Sequence, residues 1–202
     1  MKIIGSQTSP FTRVVRIACE EMHLPYEMDV TPPFAKLNDE QNRLINSHNP
    51  LMKVPILIDG GEEIVDSRII LRYLMRGSGE GSDFTAHSPE TPDYENLLSV
   101  IYGVTEAGIL RFILKVSNPE VKMDSGYMAR SLERMGHGLA WLDARSDLGH
   151  QFGFAEAMLI GSLEWFTKRS IYDWHKFSRV VKTYETYKER ESLVKTRIPE
   201  SA

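Results

Sequence analysis

The amino-acid sequence predicts an α/β domain followed by an all-α domain. Three observations carry this. Residues 1–76 alternate short β-rich runs with helix-period runs, in the order β-α-β-α-β-β-α. Residues 77–91, "GSGEGSDFTAHSPET", are rich in Gly, Ser and Pro and have no periodicity, as a linker does. From Pro92 to the end at 202 every apolar stripe has helical spacing.

Taken in order, "MKIIG" reads as a short buried strand. Phe11, Val14, Val15, Ala18, Cys19 and Met22 then recur at helical spacing. Tyr26 to Val30 gives a second strand, which "TPPF" stops. "KLNDEQNRLINSH", residues 36–48, is a polar and weakly amphipathic helix. "VPILID", "GG" and "EEIV" form a β-hairpin. "DSRIILRYLMR" closes the domain as a helix with Ile70, Tyr73 and Leu74 on one face.

In the second domain Thr91 is the expected cap and Pro92 the first helical residue. Four stripes follow as packing surfaces. They are Leu97, Ile101, Ile109, Phe112 and Val116; Met128, Leu132, Met135, Leu139 and Leu142; Met158, Leu159, Leu163 and Phe166; and Trp174, Phe177, Val181, Tyr184 and Tyr187. The mixed-charge run "KTYETYKERESLVKTR" reads as a solvated helix face. The glycines of the linker follow a helix and read G-x-G-x-G. A phosphate loop needs a preceding strand and another spacing.

Composition narrows the function classes. Net charge is −4 and the isoelectric point about 5.9, so no nucleic-acid partner is expected. No apolar run is read as long enough to span a bilayer, and "MKIIGSQTSP" is not a signal peptide, so no membrane is expected. The single cysteine, Cys19, excludes an intrachain disulfide and fits a reducing cytoplasm. Its place on an apolar face makes it an inert core thiol. The six histidines lack metal-ligand spacing, so no metal is expected.

Three short stretches carry chemistry. In "TSPFTRVVRI" Ser9 precedes a proline at a helix start, where its hydroxyl can cap the helix. The same place lies in the positive field of free N–H groups, where a ligand thiol ionises more easily. In "NPLMKVPIL" Pro55 opens a strand, leaving the backbone of Val54 outside the ladder and able to pair with a peptide-like ligand. In "VDSRII" Ser67 is a natural cap. The helix start could hold a ligand carboxylate while Asp66 faces an ammonium group. Alone, the first and third stretches are satisfied by a capping role, and the second by a proline at the first position of a strand.

Together, "SPFTRVVR", "NPLMKVPIL" and "DSRIILRYL" resemble the cytosolic glutathione S-transferases of bacteria, in the same order and at fitting separations. The ending "VKTRIPESA" is similar to the tails of bacterial members. The resemblance implies a thioredoxin-like, glutathione-binding domain at 1–76 and an all-helical second-substrate domain at 92–202. It implies that Ser9 is the catalytic residue, stabilising the glutathione thiolate. Val54, beside a cis-Pro55, would pair with the cysteinyl backbone. Asp66 and Ser67 would hold the γ-glutamyl end, Lys53 would meet the glycyl carboxylate, and Phe11 would line the second-substrate pocket. The implied activity is conjugation of glutathione, as co-substrate, to a small electrophile in detoxification, by a cytoplasmic homodimer. A non-catalytic regulator or interaction module on the same fold, and a glutathione-dependent isomerase or peroxidase, are the alternatives.

Three positions depart from the family pattern. Asp66 stands where the family often has Glu. "GFAE", Gly153 to Glu156, replaces a Ser/Thr-x-Ala-Asp capping box, so a side-chain oxygen is missing at the cap. No cysteine occupies position 9, which argues against the thiol-transfer members.

Overall fold

The structure, a computed structural model, describes residues 1–33, 36–77 and 82–200. The elements are β1 (Lys2–Gly5), α1 (Pro10–Glu21), β2 (Glu27–Val30), α2 (Asp39–His48), β3 (Ile56–Asp59), β4 (Glu62–Val65), α3 (Ser67–Gly77) and α4 (Asp83–Ala86). They continue with α5 (Pro92–Ser117), α6 (Gly126–Ala144), α7 (Phe154–Lys168), α8 (Ser178–Tyr187) and α9 (Glu191–Lys195). The contacts divide the chain into two units. One is Met1–Ala86 with the segment from Arg190 onward, and the other is His87–Glu189.

The first unit is a thioredoxin-like four-stranded mixed sheet in the order β2-β1-β3-β4. β1 runs parallel to β2 and antiparallel to β3, and β3 is antiparallel to β4. Adjacent residues of a strand point to opposite faces. Ile4 and Ile56 therefore share one face, where they meet Ile45 of α2. Ile3 and Leu57, paired in the same register and fully buried, share the other. Both faces are covered, which is why "II" and "IL" read as continuous apolar runs. α2 begins three residues later than the sequence suggests, because Asn38 and Gln41 close a reciprocal capping box there.

Two expectations need correction in this unit. Tyr73 is 37% exposed, so it does not share the buried face of Ile70 and Leu74. The expected linker is not structureless throughout, since α4 lies within it and Phe84 is buried. Residues 78–81 of that linker lie outside the described residues.

The tail is the larger correction. The sequence groups 92–202 into one domain, yet α9 packs on α1. Arg13 is fully buried and donates from Nη2 to the Leu193 carbonyl at 3.2 Å. Arg16 donates from Nη1 to the Thr196 carbonyl at 3.3 Å. Arg190 grips Glu21 through Nε and Nη2, both at 2.6 Å. Ser192, Leu193, Thr196 and Ile198 are buried, so the mixed-charge run is not simply a solvated face.

The second unit is all helical. Thr91 caps α5 through Tyr94 N–H at 3.3 Å, with Pro92 at the first position, as expected. α5 and α6 pack antiparallel: Arg111 reaches the Met128 carbonyl, Ser131 the Ala107 carbonyl, and Gly138 abuts Val104. α7 is buried almost all round. Leu132 and Val116 prove exposed. In the fourth stripe Val180, fully buried, takes the core position rather than Val181, because α8 starts only at Ser178. The acceptor at that start comes from α6: Asp143 Oδ1 accepts from Arg179 and Val180 N–H at 2.6 and 3.1 Å.

α5 also corrects the reading that no apolar run reaches bilayer length. It has 26 residues and a mean hydropathy of 1.7 over its best 18-residue window, enough by length and composition to cross a membrane. Between Leu97 and Leu114 the chain carries only Glu106 and Arg111 as charges. In this fold its apolar sides pack against α6 and α7.

The oxygen missing from "GFAE" is supplied from elsewhere. The Phe154 N–H donates to Ser88 Oγ at 2.8 Å and the Ala155 N–H to Tyr94 Oη at 3.0 Å. Glu156 accepts from the Gly153 and Gly149 N–H groups at 3.2 and 3.3 Å, and burial pushes its carboxyl above the usual range. Gly153 is needed because a Cβ there would lie 2.3 Å from the His87 carbonyl oxygen.

Candidate active site

The register of the sheet decides where the three stretches go. Ile4 pairs with Ile56, and Ile56 pairs with Val65, so these residues form one row across β1, β3 and β4. β1 runs past that row towards Ser9. β3 arrives at it from Val54-Pro55. β4 leaves it towards Asp66 and Ser67. All three stretches therefore lie at the same end of the sheet.

Ser9 is the N-cap of α1, in extended backbone, with Pro10 next in the helix. Its Oγ accepts from the Thr12 N–H at 3.3 Å. That bond uses an oxygen lone pair and leaves the hydroxyl proton for another acceptor. No acidic side chain sits in the first turn of α1 to compete for the field of the helix terminus. Gly5 lets the helix start approach the strand end, since a Cβ there would lie 2.6 Å from the Thr12 side chain. Phe11 follows at the second helical position, half-buried.

The Val54-Pro55 peptide bond is cis. Val54 precedes Ile56, the first residue of β3 in the ladder, so its backbone lies outside the sheet pairing. Lys53 is exposed, and its carbonyl accepts from Asn49 Nδ2 at 2.8 Å. Asn49 is buried and also accepts from the Leu51 N–H at 3.0 Å, so one side chain shapes the whole approach to Val54.

At the β4–α3 junction the structure corrects the expected cap. Asp66, not Ser67, holds the capping position. Its carbonyl accepts from the Ile70 N–H and its Oδ1 from the Arg68 N–H, both at 2.9 Å. Asp66 has φ +71°, in the left-handed region that Asp tolerates better than most residues. Ser67 is the first residue of α3 and buried. The exposed carboxylate keeps its second oxygen outside the cap bond.

Sequence reasoning missed Ser6 and Asn49. The hydroxyl-dense "SQTS" was the available signal for the first. Cys19 is fully buried, with burial pushing its thiol up to about 12, in keeping with an inert core thiol. It lines a cavity of about 1140 Å³ at the C-terminal end of α1, the other end from Ser9. That cavity contains none of the expected site residues. Among the described residues no group of His, Cys, Asp and Glu is arranged to hold a metal ion.

Residues 3–80 match the family model described as "Glutathione S-transferase, N-terminal domain". The whole chain aligns with the whole of the "Uncharacterized GST-like protein YibF" of Escherichia coli strain K12, at 25% identity over 210 residues. A glutathione S-transferase from Methylobacillus flagellatus KT, solved with GSH bound, is 25% identical. It matches 98% of this chain and 99% of its own with a TM-score of 0.81. A glutathione transferase family member from Pseudomonas fluorescens Pf-5, solved with bound glutathione, shares the fold at a TM-score of 0.83 and 20% identity. That match covers 98% of each chain. The sheet order, the helical second unit and these likenesses agree: residues 3–80 match a glutathione S-transferase N-terminal domain, and the whole chain has the fold of glutathione S-transferases, bacterial ones among them.

Proposed function

We propose that this protein binds glutathione at the Ser9 end of its sheet and conjugates the thiolate to an electrophilic small molecule. The observation that carries the reading is the Ile4–Ile56–Val65 row, which sets a hydroxyl donor, a free backbone edge and a carboxylate at one end of the sheet. Glutathione is an extended peptide with an ammonium and a carboxylate at its γ-glutamyl end, and each part has a counterpart here. Val54 pairs with the cysteinyl backbone beside Pro55. Asp66 takes the ammonium group, Ser67 and the start of α3 take the α-carboxylate, and Lys53 meets the glycyl carboxylate. Phe11 borders the incoming electrophile.

In the reaction the thiol gives its proton to solvent. The Ser9 hydroxyl donates to the sulfur, stabilising the charged form. A sulfur lone pair forms the new S–C bond, and the leaving group departs with its electron pair. The rest of the acceleration comes from positioning. The domains divide as 1–76, 77–91 and 92–202 in function, with the tail serving the first unit structurally.

Exposed Leu51, Met52 and Ile69 on the first unit support a homodimer, a single cysteine with no disulfide to form within the chain fits a reducing cytoplasm, and detoxification is the role that conjugation of an electrophile would serve. Calorimetric titration with glutathione, followed by turnover on a panel of electrophiles, tests the reading. Binding with turnover is expected. Binding without turnover leaves a glutathione-binding module, and no binding overturns the site.

A further inference from the structure

We propose that Thr8 is a catalytic residue beside Ser9, donating a second hydroxyl hydrogen bond to the glutathione sulfur. The inference rests on the glutathione reading of the site.

It starts from a proton assignment. Ser6 is 5% exposed, and its Oγ lies 3.0 Å from Thr8 Oγ1. The same Oγ accepts from the Thr8 N–H at 3.3 Å. By distance alone either hydroxyl could donate to the other. Burial breaks the tie. A buried O–H left without an acceptor costs its full desolvation, whereas a half-exposed one does not. Among the described residues Thr8 Oγ1 is the one acceptor recorded for the Ser6 hydroxyl, so Ser6 donates and Thr8 accepts. The proton of Thr8 must then point away from Ser6. Thr8 is half-buried and adjoins Ser9 in the loop that ends at the start of α1.

The two neighbours are thus used alike. Ser9 spends a lone pair on the Thr12 N–H, and Thr8 spends one on the Ser6 hydroxyl. Each keeps its proton for a ligand. A β-branched side chain is stiff about its first torsion, and the Ser6 contact holds it further, so the donor is oriented before glutathione arrives. A thiolate accepts several hydrogen bonds and a thiol accepts them weakly. Two donors therefore favour the charged sulfur more than one does.

The test titrates the thiol of bound glutathione by its ultraviolet thiolate band. In parallel, affinity is measured for S-methylglutathione, which fills the same peptide contacts without a thiol. Thr8→Val is expected to raise the bound thiol's pKa by about half a unit to one unit and lower kcat/KM near neutrality about three- to tenfold. S-methylglutathione affinity should hold, and Thr8→Ser should restore the parent titration. Ser6→Ala is the control for a propping role, because it breaks the hydroxyl pair and keeps the Thr8 donor. It should retain most of the lowering. If Thr8→Val fails to fold, the Ser6→Ala/Thr8→Val double variant removes the stranded buried hydroxyl and carries the same expectation. A parent-like titration in the valine variants, or a Ser6→Ala shift equal to theirs, overturns the proposal alone. A parent protein that does not bind S-methylglutathione overturns the site and this inference with it.

Discussion

Asp66 Oδ1 accepts a hydrogen bond from the Arg68 N–H at 2.9 Å, so the carboxylate proposed to meet the ammonium group of glutathione also caps α3. The two roles use different properties. Capping needs an oxygen acceptor on a short side chain, and holding an ammonium group needs the charge. The left-handed backbone at φ +71° adds a third demand, which Asp and Asn meet more readily than other side chains.

Asp66→Asn separates them. It keeps the acceptor, the length and the backbone tolerance and removes only the charge. Thermal stability should stay within about 0.5 kcal/mol of the parent. Glutathione affinity should fall by one to two decades, the worth of a charge-assisted bond at about 1.5–3 kcal/mol. Calorimetry and a melting curve on one preparation check both. Unchanged affinity would confine Asp66 to its cap. Asp66→Glu keeps the charge but should weaken the α3 start, because the longer side chain loses the geometry of the Arg68 bond.

Ser9→Ala asks whether the first hydroxyl caps or catalyses. Loss of the Thr12 bond should cost about 1 kcal/mol of stability. Loss of the donor should lower turnover at least about tenfold, equivalent to roughly 1.4 kcal/mol, with glutathione affinity little changed. Thr12 cannot take over, because it is fully buried behind Gly5. A folded variant with parental turnover would remove Ser9 from the chemistry.

Ser88 carries a prediction for the second unit. Its hydroxyl is the acceptor for the buried Phe154 N–H. Ser88→Ala leaves that donor unsatisfied and should cost about 1–3 kcal/mol. Ser88→Thr keeps the oxygen and should cost less. Glutathione affinity should be unaffected in both, since unit one holds the proposed ligand contacts. Denaturant unfolding measures the cost, and an alanine variant as stable as the parent would show that Glu156 and Tyr94 suffice.

How much of this was legible in the sequence follows from how local each cause is. The strand–helix order and the caps at Ser9 and Thr91 were read from neighbouring residues, the cis-Pro55 from the family resemblance, and the structure agrees. What failed depends on partners far along the chain. The cap of α7 comes from Ser88, 66 residues away, and that of α8 from Asp143, 36 residues from Arg179. Arg13 and Arg16 lie outside the apolar stripe of α1 yet are buried, because the carbonyls they meet belong to residues 193 and 196. The choice of Asp66 over Ser67 as cap turned on one backbone torsion, which composition does not encode.

The tail bears on the site through α1. Leu193 is fully buried, and its carbonyl accepts from Arg13 Nη2, so the segment both buries an apolar side chain and supplies an acceptor to α1. Leu193→Ala removes the filling and leaves the carbonyl. It should cost about 2–5 kcal/mol by the usual range for a buried leucine. Because Arg190 and Ser192 still hold Glu21, the tail should remain docked and the loss should appear as a lower melting temperature of the first unit. Glutathione added at saturation should restore part of it, since a ligand that binds only the folded state stabilises by mass action. Glutathione affinity well below the melting range should be parental, since the variant keeps both the Leu193 carbonyl that Arg13 meets and the Arg190–Glu21 pair at the end of α1 away from Ser9. An alanine variant that melts with the parent would mean that α9 merely rests on α1. One that loses affinity while still folded would mean that the tail shapes the Ser9 loop itself.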